Sequence, residues 1–319
     1  MGTDDPSIRS HAYERRFYAA NRAFGRFGMR IFEPVTMDRP HWHGHVEGNL
    51  SVNADLVYIF DGTELTVPAG VPVFFWAGIP HRLIGIEPRD GTRPELCNMY
   101  LPLDSFLFMP HVARLQVALL SGGIVSVPPD LCAREHMVRW YGDYRSNDVE
   151  RTEVVKFELN ALFRRLAAMR VSWVREPWDA RSGSPELASV HVRHVVSMIR
   201  YVLENLAEPM TSTDVARVTG LHPNYAMALF TRTMRLPVKK FVIRMRVLRA
   251  RAMLMESNIA ITTIAQECGF ASMSQFYHHF SAAYGAPPNR IRQTYVVRPV
   301  GADDRPRRER RPATAGVAG

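Results

Sequence analysis

Cysteine is scarce in this chain, with only Cys97, Cys132 and Cys268 among 319 residues. Their wide spacing forms neither a disulfide framework nor a zinc-ligand pattern. No apolar run reaches the roughly 20 residues that span a bilayer, and the first residues form no charged-then-apolar signal segment. A cytoplasmic protein with no membrane partner is therefore expected. The sequence also offers no nucleophile set beside a base and no Gly-rich loop to cradle phosphate. These absences argue against an enzyme, and no cofactor is expected.

What is present is basic and unevenly placed. The formal net charge is +9. Residues 191–298 carry 14 Lys+Arg against 5 Asp+Glu, whereas residues 1–190 carry 21 against 23, and the tail 299–319 carries 5 against 3. A positive excess gathered in one region suits a surface that neutralises phosphates, although a solvated cationic face has the same composition.

The same region holds a repeated pattern. Ala216 with Gly220 and Ala265 with Gly269 recur at an offset of 49 (265 − 216), each followed by an aromatic-rich helix. A helix-turn-helix needs a small residue where its helices cross and Gly where the backbone takes positive φ. One copy is a weak signal, because Ala-x-x-x-Gly is common; two copies point to DNA. Thr211-x-x-Asp214 reads as a capping box for the first leading helix. The second has Ala260 at that position and forgoes the cap. Between the copies, Pro237 opens a predicted helix to about Ser257, with Phe241, Met245, Leu248, Ala252 and Met255 as its apolar stripe.

Residues 191–298 resemble the AraC/XylS family of transcription regulators, through Gly269-Phe270, Phe276-x-x-x-Phe280 and Tyr284-Gly285-x-x-Pro288. The resemblance implies two subdomains entering successive major grooves of promoter DNA. Spacing turns Ala226, Leu229, Phe230, Phe276 and Phe280 inward. His222, Asn224, Met227 and Ala228 of the first reading helix, and Met273, Ser274, Tyr277 and His278 of the second, are then the candidate groove residues. Asn suits adenine, while Met and Ala suit a thymine methyl. Arg232, with Arg235 and Arg292, is placed for phosphate. Family members often carry Arg or Gln where Ala228 and Met273 stand.

Residues 27–110 read as short strands between dense turns, for example 55–60, 64–67 and 72–76, which favours a small barrel or jelly roll. The segment resembles the cupin sensor domains of this family. His41-x-His43-x-x-x-Glu47 and Gly78-x-x-His81 have the spacing of cupin metal ligands, a set suited to iron, nickel, manganese or zinc. The chain departs from that pattern with Trp76-x-Gly78 in place of Pro-x-Gly, and sensor cupins of this family commonly bind without metal. No metal is therefore expected. The composition suits a sugar: Trp42 and Trp76 for stacking, and His41, His43, His45, Glu47, Asn49 and His81 for hydroxyls. Closer similarity of 41–49 and 224–227 to a sugar-operon regulator of the family implies an α-galactoside.

The α+β fold expected is a cupin-like β-barrel (jelly roll) with trailing helices, then an all-α domain of two helix-turn-helix subdomains joined by a long helix. Its boundaries are 1–12 disordered, 13–175 effector-binding and dimerisation domain, 176–190 linker, 191–298 DNA-binding domain and 299–319 disordered tail. Val155, Leu159, Leu162, Leu166 and Met169 follow 4-3-4-3 spacing, which by itself most often means a helix lying on its own barrel; the family resemblance implies that this region serves dimerisation, so a homodimer is expected. The function read is a sugar-responsive activator that contacts promoter DNA, a small-molecule effector and RNA polymerase. The rivals are a metal-dependent cupin enzyme using His41, His43, Glu47 and His81, a regulator with a non-sugar ligand, and a constitutive DNA-binding protein whose barrel only dimerises.

Overall fold

The computed structural model describes residues 25–89, 91–177 and 189–296. The expected disordered ends, 1–12 and 299–319, and most of the expected linker lie outside them.

Among the described residues nine strands form, the last two of them after helices: β1 Gly28–Phe32, β2 His45–Val52, β3 Ala54–Phe60, β4 Thr63–Val67, β5 Val73–Trp76, β6 His81–Pro88, β7 Glu95–Pro102, β8 Ile124–Ser126 and β9 Ser172–Arg175. They form two antiparallel sheets, ordered β1-β7-β2-β5-β8-β9 and β4-β3-β6. The expectation of a closed barrel is corrected here. Among the described residues no strand ladder joins the sheets; between them lies the isolated bridge His41↔His81. The reason is local. A single residue, Asn53 at φ 64, reverses the chain between β2 and β3 and carries it from the large sheet to the small one. The sheets stack instead of closing, with Phe60 and Phe75 meeting edge to face at 5.3 Å.

Burial follows from this stacking. Every residue from Val46 to Ser51 in β2 is buried, because one face meets the small sheet and the other meets helices. β3 alternates buried and half-buried, as a strand with one wet face should. Gly48 lies on the helix side, where an added Cβ would meet Phe74 at 2.5 Å and Met99 at 2.9 Å. Phe74 in turn packs edge-on to Phe163 at 4.9 Å.

Helices α1 Leu103–Phe108, α2 Ala113–Leu120, α3 Arg134–Arg145 and α4 Val149–Ala168 cover the large sheet. On α4 the stripe Val155, Leu159, Leu162 and Leu166 is buried in the chain's own core, while Met169 is exposed at the C-cap. That stripe therefore lies on the chain's own β region, the first of its two readings, and is not itself available to a partner. The opposite side of α4 exposes Val154 and Phe157, the latter 73% accessible.

The helical region comprises α5 Ser189–Glu204, α6 Ser212–Arg217, α7 Pro223–Met234, α8 Val238–Glu256, α9 Ile261–Glu267, α10 Met273–Tyr284 and α11 Pro288–Val296. The spacer helix expected from Pro237 to Ser257 is α8, with those two residues as its caps. Its predicted residues Phe241, Met245 and Leu248 enter a core that runs continuously from the sheets through α5 to the first helix-turn-helix. A second stripe, Val247, Ala250 and Leu254, enters a separate core beneath the second one. One rigid helix thus serves two cores. No helix among the described residues is long and apolar enough to cross a membrane.

Candidate functional site

The two helix-turn-helix units form as the repeat predicts. Ala216 and Ala265 are buried at the crossings, and Gly220 and Gly269 take φ +68 and +78. Thr211 Oγ1 accepts from the Asp214 amide while the Asp214 carboxylate accepts from the Thr211 amide, closing the capping box. Ala260 makes no side-chain cap.

α7 buries Ala226, Leu229 and Phe230, and α10 buries Phe276 and Phe280, as their spacing required. The candidate groove residues divide into two groups. His222, Asn224, Ala228, Arg232, Ser274 and His278 are exposed. Met227, Met273 and Tyr277 are half-buried and pack against the cores. His222 is also the N-cap of α7, with Nδ1 accepting from the Asn224 amide at 3.3 Å. Arg292 donates to the Ile259 carbonyl at 2.5 Å, which anchors its side chain within the domain. Two exposed residues escaped the sequence reading: Tyr225, whose hydroxyl meets His191 Nε2 at 3.1 Å, and Gln275. Both stand one position past Asn224 and Ser274, and equating the two reading helices residue by residue would have exposed them.

In the sensor region the predicted residues fall into two places. His41, His43, Glu47 and His81 converge, with one ligand atom of each within 4.8 Å of all the others. His43 Nε2 lies 2.7 Å and His81 Nε2 3.7 Å from Glu47 Oε1. The other carboxylate oxygen accepts from Asn49 Nδ2 at 3.3 Å. His45 bonds to His43, ring nitrogen to ring nitrogen, at 3.0 Å and to the Arg26 carbonyl at 3.1 Å. Burial, reinforced by neighbouring imidazoles, pushes the His41 and His45 pKa values down to about 3 and lowers that of His43. Burial works to raise the Glu47 pKa, but hydrogen bonds from His43 and His81 more than reverse it and leave it well below the usual carboxylate range.

The two tryptophans lie elsewhere. Trp42 stacks on Tyr284 at 4.7 Å and 17°, and its Nε1 donates to the Ala283 carbonyl at 3.2 Å. It is thus held by the last turn of α10. Trp76 is buried, its ring folded back over Gly78, where a Cβ would sit 2.2 Å from the indole. The Arg244 guanidinium of α8 lies 5.5 Å from the Trp42 ring and 5.0 Å from the Trp76 ring, and donates to the Gly78 carbonyl. Burial lowers its pKa to about 10. Between the sheets, α7 and α8 lies a cavity of about 370 Å³, lined by Asp61, Trp76, Ser121, Arg175, Phe241 and Arg244 among others.

Two helix-turn-helix units on one spacer helix, joined to a sensor-like β region, define a DNA-binding transcription regulator. The comparisons place it further. A family model described as a helix-turn-helix domain matches residues 215–294. The melibiose operon regulatory protein of Escherichia coli (strain K12) is 26% identical over 271 residues, covering 85% of this chain and 88% of that protein. The uncharacterized HTH-type transcriptional regulator YobQ of Bacillus subtilis is 29% identical over 101 residues, 32% of this chain and 42% of that one. The crystal structure of ToxT from Vibrio cholerae O395 shares the fold with a TM-score of 0.51 at 9% identity, over 85% of this chain and 98% of that one. The chain is thus similar to a transcription regulator over most of its length and carries a helix-turn-helix domain of the kind these regulators share. The two relatives from Escherichia coli and Bacillus subtilis are named as regulators.

Proposed function

We propose that the chain is a sugar-responsive activator whose effector sits between the β region and the helix-turn-helix units. The observation that carries this reading is the cavity of about 370 Å³ beside Arg244. Its volume falls within the roughly 300–1,000 Å³ of small-molecule sites. Trp76 lines it, and the indole Nε1 is buried without a hydrogen-bond partner, which leaves a donor for a ligand. Asp61 and Ser121 add hydroxyl partners. Likeness to a melibiose operon regulator supports an α-galactoside as the effector. The cluster around Glu47 suits a sugar less well, because its polar atoms are already bonded to one another.

A ligand there acts by binding one arrangement of β region and α8 better than another. The response would pass to DNA through Asn224 and Arg232 of the first unit and Ser274 and His278 of the second, and to RNA polymerase at the promoter. Exposed Val154 and Phe157 on α4 form the surface we assign to a homodimer contact. Calorimetry on the full chain with melibiose, galactose and an unrelated disaccharide tests the effector. Heat with melibiose, abolished by Asp61→Ala, is expected; equal silence with all three overturns the sugar reading.

A further inference from the structure

We propose that the cavity beside Arg244 prefers an effector that carries a negative charge, a sugar phosphate or a sugar acid, over a neutral sugar. This rests on the reading of that cavity as the effector site and adds the chemistry of the group that would bind most tightly. The polar lining is one-sided. Arg175, Arg235 and Arg244 line the cavity, against the carboxylate of Asp61. Trp76 adds an indole, 2% exposed, whose Nε1 has no hydrogen-bond partner. Guanidinium and indole N–H groups donate and never accept. A neutral sugar hydroxyl can take such a donor, but it brings a hydrogen that needs an acceptor of its own. Oxygens without hydrogens, as on a phosphate or carboxylate, match this lining better.

Arg244 is the group that most lacks a counter-charge. The indole rings of Trp42 and Trp76, 5.5 and 5.0 Å from its guanidinium carbon, screen it from water but accept none of its N–H groups in their ring planes. The Gly78 carbonyl accepts from Nη2. Among the described residues Arg244 forms no ion pair. The carboxylate whose field reaches it, Asp61, is more than half exposed and is held by Arg175 at 3.4 Å. Burial lowers the Arg244 pKa only to about 10, so the side chain stays charged at neutral pH. A guanidinium held out of water without a counter-ion is costly, and an anionic ligand offsets that cost. Phosphate and carboxylate also present paired oxygens to a guanidinium, the arrangement that makes its strongest hydrogen bonds.

The other two arginines add field and position. Arg175 is built into the β region: Nη1 donates to the Gly122 carbonyl at 3.0 Å, Nη2 to Asp61, and the guanidinium carbon lies 5.1 Å from the Phe60 ring. It serves the site through its positive charge. Arg235 is the C-cap of α7, in the left-handed conformation at φ 53, and its charge offsets the negative end of that helix. An anion in the cavity would thus face the β region, the spacer helix and the end of the first reading helix together. Binding there favours one placement of these three elements over any other. A neutral α-galactoside can enter the same space, and the charged group adds affinity.

The test is calorimetry on the full-length chain with galactose, α-galactose 1-phosphate, galacturonate and inorganic phosphate, at low and high salt. At least one of the anionic sugars should bind about tenfold or more tightly than galactose. That gap should narrow as salt rises. Arg244→Gln, which keeps a donor for the Gly78 carbonyl, should bring the anionic sugar down to the affinity of galactose. Arg244→Lys should restore part of the gap, and the wild-type comparison stands even if a variant does not fold. Galactose binding as tightly as both anionic sugars would overturn this inference and leave the sugar reading intact. Inorganic phosphate binding as tightly as α-galactose 1-phosphate, with galactose silent, would uphold the anion site and overturn the sugar reading. Silence with all four would overturn both.

Discussion

The two helix-turn-helix units share one turn design and differ in what surrounds them. The first lies on the core that also fills the sheets, with Ala226, Leu229 and Phe230 in the same cluster as Phe74 and Trp76. The second has its own small core of Ile264, Phe276 and Phe280 and meets the β region through Trp42. Its turn is also the more crowded. At Gly220 an added Cβ meets nothing within 4 Å, whereas at Gly269 it would lie 2.3 Å from the Leu206 carbonyl oxygen. That carbonyl also accepts from Arg246 Nε at 3.0 Å. One unit is thus part of the sensor's body, and the other is hung from α8 and latched at two places. A regulator that must reposition its reading helices relative to each other can do so most cheaply at the hung unit.

If this contrast is right, a disturbance inside the sensor should loosen the first unit and spare the second. Asp104 provides one. It is buried at the start of α1, and burial raises its pKa from 3.8 to about 7. Between those values the folded chain keeps a proton that the unfolded chain has released. Stability therefore falls as pH rises through that window, and the full penalty stands above pH 7. Three pK units correspond to about 4 kcal/mol. Asp104→Asn should remove this pH dependence and stabilise the protein at pH 8. Hydrogen exchange should show the gain in the sheets, α5 and α7, with α9 and α10 unchanged; an equal gain in α10 would mean the two cores unfold as one.

The turn glycines probe the contrast directly. Gly220→Ala should cost about 1–2 kcal/mol, the price of a left-handed residue alone. Gly269→Ala adds a backbone clash and should cost more, about 3 kcal/mol or above, at the upper end of what single substitutions do. Urea denaturation of both variants measures the difference, and equal costs would show that the Leu206 backbone yields freely.

How much of this was open to sequence reading depends on the range of the forces involved. Local rules succeeded: the caps of α8, the Thr211–Asp214 box, the positive-φ glycines and the inward Phe residues all depend on near neighbours. The inward faces of α7 and α10 were legible because a helix face is set by spacing of three and four, although Met227, Met273 and Tyr277, expected outward, are half-buried. Non-local choices were not. Periodicity identified the strands but not the sheet each one joins, which Asn53 decides. On α4, both Val155 and Phe157 belong to apolar stripes, and spacing cannot say which one the sheet will cover. Trp42 was read as a stacking surface for the effector, whereas its partner in the fold, Ala283, lies 241 positions away. Gly48 and Gly78 matter through rings brought close by the fold, and no local signal announces them.

For DNA, Asn224→Ala should cost about 1–3 kcal/mol at one base position and relax preference there. Arg232→Ala should weaken all sequences alike and lower the salt slope by about one. Ser274→Ala, at the matching position of the second unit, removes a single-hydroxyl contact and should cost less than the Asn224 change. Binding measured against a panel of single-base operator variants separates these effects. Uniform loss for Asn224→Ala would place the first reading helix in a different orientation.

The smallest effect is expected at the leading helices, where the two units differ by one cap. Thr211 closes its box with Asp214, and Arg217 lies 3.3 Å from the same carboxylate. Ala260 leaves the first amides of α9 without a side-chain acceptor. Removing a Thr cap costs about 1 kcal/mol, within a range of roughly 0.5–2. Thr211→Ala should therefore destabilise the first unit by about that amount, and Ala260→Ser should return a similar or smaller gain to the second. The measurement is a thermal melt followed by hydrogen exchange on α6 and α9. Because α9 belongs to the unit with the small separate core, the Ser gain should appear in local protection of α9 and α10 before it appears in the global melt. If Ala260→Ser instead raises global stability as much as Thr211→Ala lowers it, the second unit is no more independent than the first, and α8 couples them fully.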